Sequence, residues 1–189
     1  MIIYQENGSK YILGCKLSKA NTIFLFIGFM LCAVIYMAAS SNRFEIDWNL
    51  TESLPQKFFV VDYKTVPKKG DYAAFNYYTT EGLNQWDIER GFLDERGKRF
   101  TFIKKIVGVE GDVVSVRGRE VFINNKFVGR AKTNATADNR KLYPIKELGV
   151  IPKGKYYFKA PHKDSYDSRY SEIGLVDKSE VRGKAYGFF

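Results

Sequence analysis

The chain has 189 residues, a formal net charge of +9, one histidine and two cysteines. That length fits one domain of ordinary size plus a short extra segment, and a single histidine excludes a multi-histidine metal centre. Cys15 and Cys32 both lie near the N-terminus, so the rest of the chain can hold neither a disulfide framework nor a zinc knuckle. The basic residues from Lys57 to Lys184 are scattered among acidic ones. A nucleic-acid footprint needs clustering on one face, so nucleic acid is not expected as a partner; attraction to anionic lipid headgroups suits this charge better.

Residues 1–21 carry Lys10, Lys16 and Lys19 and lead into Thr22 to Ala39, which are 18 residues without a charge. As a helix this stretch spans about 27 Å, enough for a bilayer core with little tilt. It exceeds the usual apolar core of a cleaved signal peptide, although Ala38-Ala39-Ser40 loosely resembles a small-residue cleavage site. A buried core helix would show a polar face, and none is present. The expectation is therefore an uncleaved transmembrane anchor over 22–39. Arg43 after the anchor is soon offset by Glu45 and Asp47, so the positive bias favours a cytoplasmic N-terminus, with residues 40–189 outside.

Beyond the anchor the pattern turns to strands, and the 16% aromatic content favours them. Phe58 to Val61 is a short apolar run. A turn at Pro67 to Asp71 precedes Tyr72 to Phe75. Residues 79–98 are polar with three glycines and read as an inserted loop. Phe100 to Val107 is a strong strand. Val113 to Val116 and Glu120 to Ile123 read as a hairpin, and Asn124-Asn125-Lys126 turns into Phe127-Val128. Residues 131–142 read as loop, Lys155 to Lys159 as a strand, and Lys184 to Phe189 as the last strand. Short strands with regular turn signals imply a mainly β domain of barrel or sandwich type.

Three segments could carry chemistry. Ser53 stands in Thr51-Glu52-Ser53-Leu54-Pro55, 14 residues after Ala39 and so near the membrane surface; read alone, a serine before a proline is a turn or cap residue. In the strand over 100–107, alternation places Phe100, Phe102, Lys104 and Ile106 on one face and Thr101, Ile103, Lys105 and Val107 on the other. Lys104 thus emerges among apolar neighbours, and burial lowers a lysine pKa towards the range of a general base. A lysine can also snorkel to solvent, which leaves that role open at this point. Asp164-Ser165-Tyr166-Asp167-Ser168-Arg169-Tyr170 is a turn-like run in which Asp167 and Arg169 can pair.

The order Ser53-Leu54-Pro55, then Phe102-Ile103-Lys104-Lys105-Ile106-Val107-Gly108-Val109-Glu110-Gly111-Asp112, then Ser165-Tyr166-Asp167-Ser168-Arg169-Tyr170 resembles the signal peptidase I family (peptidase S26). Val121 to Lys126 resembles that family's hairpin and Val181-Arg182-Gly183-Lys184-Ala185 its close. The resemblance covers roughly 48–189, with the anchor placed as in the family. Pro55 only two residues after Ser53, and Lys159-Ala160-Pro161-His162 in place of a Gly-Asp-Asn run, are similar to the conjugative-transfer branch, the TraF-like pilin-processing peptidases.

The resemblance implies a bacterial inner-membrane serine endopeptidase with a periplasmic catalytic domain and no cofactor or metal. Ser53 would be the nucleophile and Lys104 the general base. The Ser53 N–H and the Thr51 hydroxyl would face the oxyanion, and Ser165 would orient Lys104. Asp167 would either join the catalytic group or serve only as the salt-bridge partner of Arg169. His162 reads as a loop residue. The partners would be the bilayer and a pilin or preprotein with a transmembrane segment, processed through an acyl-enzyme by hydrolysis or cyclisation. The alternatives are a general type I signal peptidase and, in another class, a non-catalytic envelope scaffold. A self-cleaving LexA-like repressor also uses Ser and Lys, but the apolar anchor is incompatible with its DNA-binding domain.

Overall fold

The computed structural model describes residues 3–6, 9–12, 15–16, 19–40, 42–49, 52–77, 101–136, 139–146 and 148–188. The insertion at 79–98 and Thr51 lie outside these residues. The chain divides into two compact units, 1–44 and 45–189.

In the first unit a short meander of β1 (Ile3–Glu6), β2 (Ser9–Ile12) and β3 (Cys15–Lys16) precedes helix α1 (Lys19–Ser40). These three strands carry no pattern that sets them apart in the sequence and were not expected from it. The helix starts three residues earlier than the charge-free stretch and ends one later. Its large apolar side chains from Ile23 to Met37 are exposed, and by length and composition it can cross a membrane.

The second unit is mainly β, as expected. Its strands are β4 (Phe44–Trp48), β5 (Phe58–Asp62), β6 (Tyr72–Asn76), β7 (Thr101–Gly108), β8 (Val113–Arg117), β9 (Glu120–Ile123), β10 (Lys126–Arg130), β11 (Gly149–Val150), β12 (Lys155–Lys159), β13 (Val176–Asp177) and β14 (Val181–Phe188). β4 reaches one residue into the first unit. Among the described residues a seven-stranded sheet runs β13-β12-β7-β6-β14-β5-β4, and a four-stranded sheet runs β10-β9-β8-β11. The 120–130 hairpin turns on Asn124 and Asn125, both at positive φ, which asparagine tolerates better than most residues.

Around β6 the large sheet is covered on both faces. Adjacent alanines of β6 show this: Ala73 packs with Phe75, Ile106 and Phe158, whereas Ala74 packs with Leu54, Phe59, Val61 and Ala160. A third cluster of Val114, Val121, Ile123, Ile145, Ile151 and Tyr157 joins the small sheet to β12. Two glycines permit close approaches within the core. A Cβ on Gly183 would collide with the Asp62 carbonyl, and one on Gly108 would meet Ile151 and Tyr157. The described residues of the 131–142 segment are mostly irregular, in keeping with the expected loop. They are pinned by Arg119, whose guanidinium donates to the Ala131, Lys132 and Leu142 carbonyls.

Along β4 the side chains alternate, and the Trp48 ring lies 5.6 Å from Phe58, which stacks on Phe188 at 5.3 Å. Ile46, Trp48, Tyr186 and Phe188 are exposed on this outer side. Phe59, next to Phe58, points the other way into the core.

Candidate active site

Ser53 occupies the turn between β4 and β5 and is half-buried. The turn is fastened by its neighbours. Leu54 is buried against Phe59, Val61, Ala74 and Ala160. The Asn49 side-chain amide donates to the Leu54 and Gln56 carbonyls at 2.8 Å each, and the Asn49 N–H donates to the Lys57 carbonyl at 2.9 Å. Asparagine suits this task because its short amide bonds backbone groups a few residues away.

Lys104 lies in the middle of β7, opposite Ala73 of β6. The β alternation seen in the sequence is kept: Lys104 is 6% exposed, whereas Lys105 is open to solvent. The ammonium sits over the Phe102 ring, 5.6 Å from its centroid. Burial is the largest influence on it and disfavours the charged form. Asp167 opposes that and Arg169 adds to it, and the pKa comes down from 10.5 to about 8.

The 165–170 run forms tight turns. The Ser165 N–H donates to the His162 carbonyl and the Tyr170 N–H to that of Asp167. Asp167 is wholly buried. One of its oxygens takes the Arg169 Nε–H at 2.8 Å and the Arg169 backbone N–H at 3.2 Å; the other takes Arg169 Nη2 at 3.0 Å and the Ala160 N–H at 3.1 Å. Arg169 in turn donates to the carbonyls of Ser165, Lys163 and Arg130 at 2.8, 3.2 and 3.3 Å. This planar, multiply bonded pair is the arrangement in which a buried ion pair is held rather than expelled. The Ser165 hydroxyl is 3% exposed and has no hydrogen-bond partner among the described residues. His162 is a loop residue whose Nδ1 accepts the Asp164 N–H at 3.3 Å.

Ala160 links two of these parts. Its N–H holds Asp167, and its side chain packs in the cluster that seats Leu54. The same cluster contains Ala74, next to the residue paired with Lys104. Ala160 thus joins the turn of Ser53 to the Ser165–Arg169 turn, whereas the Lys104 side chain shares the Ala73 face of β6, opposite to the face on which Leu54 packs, and is reached electrostatically by Asp167 and Arg169. Asn49 was missed by sequence reading, and so was an aromatic wall in which Tyr77 stacks on Phe102 and meets Tyr166 edge-on. An asparagine four residues before a candidate nucleophile was a legible turn signal; the wall, assembled from β6, β7 and the 165–170 turn, had none.

The profile of the family described as signal peptidase, peptidase S26, matches residues 18–189. The chain belongs to that family. Signal peptidase I of Bacillus licheniformis is 25% identical over 186 residues, covering 91% of each chain. Signal peptidase IB of Staphylococcus aureus is 27% identical over 133 residues, 62% of this chain and 67% of that one. A crystal structure of a signal peptidase I from Enterococcus faecalis V583 covers 62% of this chain and 95% of its own, at 18% identity and a TM-score of 0.33. Its structural likeness is too low to carry weight beside the sequence match. The signal peptidase I homologues are serine peptidases.

Proposed function

We propose that this signal peptidase family member is a membrane-anchored serine endopeptidase in which Ser53 attacks and Lys104 acts as general base. The observation that carries the reading is the burial of Lys104, with its pKa near 8, in a chain of this family. A lysine at its ordinary pKa is protonated at neutral pH and accepts nothing; at about 8, roughly a tenth of it is neutral at pH 7.

The neutral Lys104 amine takes the Ser53 hydroxyl proton as the oxygen bonds to the substrate carbonyl carbon. The carbonyl oxygen takes up the negative charge and meets the Ser53 N–H, with the Thr51 hydroxyl as second donor. Collapse breaks the C–N bond, Lys104 returns its proton to the departing amine, and an ester to Ser53 remains. Water then releases the acyl group, or the substrate's own amino terminus does so and closes a ring. The Asp167–Arg169 pair holds the turn that carries Ser165, and the Ser165 hydroxyl, expected from the sequence to orient Lys104, makes no hydrogen bond to it in this structure. Helix α1 anchors the chain in the inner membrane with the N-terminus cytoplasmic and the catalytic unit periplasmic.

The Ser53-Leu54-Pro55 spacing favours a conjugative pilin precursor as the substrate. The named relatives, all signal peptidases I, favour exported preproteins in general. Labelling of the full-length protein by a serine-directed acylating inhibitor tests the chemistry. Labelling is expected to vanish in Ser53→Ala and Lys104→Met and to persist in Lys105→Ala. Persistent labelling in Lys104→Met would sink the dyad, and no labelling of the wild type would leave the scaffold reading. For the substrate, Ser53→Ala in a host with its own leader peptidase should block pilus assembly and spare secretion; a secretion defect favours the general enzyme.

A further inference from the structure

Between Phe44 and Gln56 the chain carries Glu45, Asp47 and Glu52 and no lysine or arginine, although the whole protein bears a charge of +9. Two of these carboxylates stand on β4, on the side opposite Trp48. Because Trp48 meets Phe58 on the outer side, Glu45 and Asp47 look towards the side where Phe59, Val61 and Leu54 pack. That is the side on which Leu54 seats the turn of Ser53.

The two carboxylates differ in one respect. Glu45 is taken by Arg182 at 2.8 Å, and Arg182 also donates to the Thr101 hydroxyl and the Tyr63 hydroxyl, each at 2.6 Å. Asp47 is half-buried and has no ion-pair partner among the described residues. Burial first, then the like charge of Glu45, holds its carboxyl above the usual range, and Arg182 relieves this only in part. Its relief comes from the charge of Arg182, which is bonded to Glu45, and from the Trp48 N–H, and a half-buried carboxylate without a direct ion pair costs stability that a neutral residue would not.

β4 is also the terminal strand of the seven-stranded sheet among the described residues. An extended polypeptide that reaches Ser53 along this edge would alternate its side chains between the two sides of β4. Those on the Leu54 side would pass Asp47. A lysine or arginine there would supply a direct ion pair in a partly dehydrated setting, where an ion pair discriminates more than it does in open water.

We infer that Asp47 is a specificity-determining residue that selects a lysine or arginine side chain of the substrate within a few residues of the cleaved bond. The inference rests on the serine endopeptidase reading and adds to it a substrate class, a cationic segment beside the scissile bond.

The test uses the full-length protein in detergent micelles and a set of internally quenched peptides. The peptides are identical except for one residue, scanned along both sides of the cleaved bond, that is Lys, Ala or Glu. At one position the wild type should show kcat/KM about tenfold higher for Lys than for Glu, a ratio that shrinks as salt is added. Asp47→Asn should bring the ratio near one, and Asp47→Lys should invert it. Because the readout is a ratio within one protein, a variant with a smaller folded fraction still reports. A Lys-to-Glu ratio unchanged in both variants, or no preference at any position in the wild type, overturns the inference. Binding of the same peptides to Ser53→Ala, read by fluorescence anisotropy, separates the two levels. Lys-preferring binding without cleavage by the wild type sinks the peptidase reading and leaves the Asp47 subsite standing; cleavage without preference does the reverse.

Discussion

Replacing Lys104 by Met is expected to stabilise the protein while removing its activity. The side chain is buried, and its pKa falls from 10.5 to about 8 on folding. The folded state therefore binds fewer protons than the unfolded state between those two values, and stability rises with pH across that window. Below pH 8 both states are protonated and the folded state carries the full penalty, about 3 kcal/mol at 1.36 kcal/mol per unit. Met has a similar length and no charge, and its imperfect fit costs less than about 1.5 kcal/mol. The net gain at pH 7 is thus about 2 kcal/mol. Urea unfolding of the full-length protein in detergent, followed by tryptophan fluorescence, measures it for both proteins at pH 7 and at pH 10.5. The gain should fade as pH climbs from 8 to 10.5, because the wild type sheds its penalty there. A variant less stable than the wild type at pH 7, or a gain of constant size over this range, would refute the assignment of Lys104 as a costly buried amine.

Two further outcomes follow from the same site. The rate of Ser53 acylation should rise about tenfold from pH 7 to pH 9 and then level off, as Lys104 passes from roughly one-tenth to nine-tenths neutral; a stopped-flow pH series reads it, and a flat profile would count against lysine as the base. Breaking the buried pair with Arg169→Met should cost about 3–5 kcal/mol, and Asp167→Asn a similar amount, because each leaves a charge without its partner. The double replacement should cost less than the sum, measured in the same unfolding assay.

The features legible in the sequence are those that short-range periodicity encodes. A two-residue period along 100–107 distinguished Lys104 from Lys105, and the structure buries the first and exposes the second. Turn chemistry at Asn124-Asn125 placed a hairpin correctly. The alternation Phe44-Glu45-Ile46-Asp47-Trp48 was equally regular but went unread, because nothing local marks an edge strand. Features that depend on distant partners were hidden. Arg182 joins residues more than 80 positions away in sequence, at Thr101 and Tyr63, and Arg169 reaches back to Arg130. The Asp167–Arg169 pair was foreseen as a local contact. Its enclosure by Ala160 and several carbonyls needed the assembled sheet.

The burial of Lys104 has a consequence for the life of the chain before it is folded. An extended Lys104 keeps its ordinary pKa of 10.5 and is almost wholly protonated at neutral pH. Its neighbours Asp167 and Arg169 arrive from more than 60 residues away, so the amine becomes competent only when the sheet is complete. On the proposed mechanism, a newly made chain at the membrane is chemically mute. It cannot cut itself or its neighbours while its own loops are exposed, and maturation alone arms the enzyme.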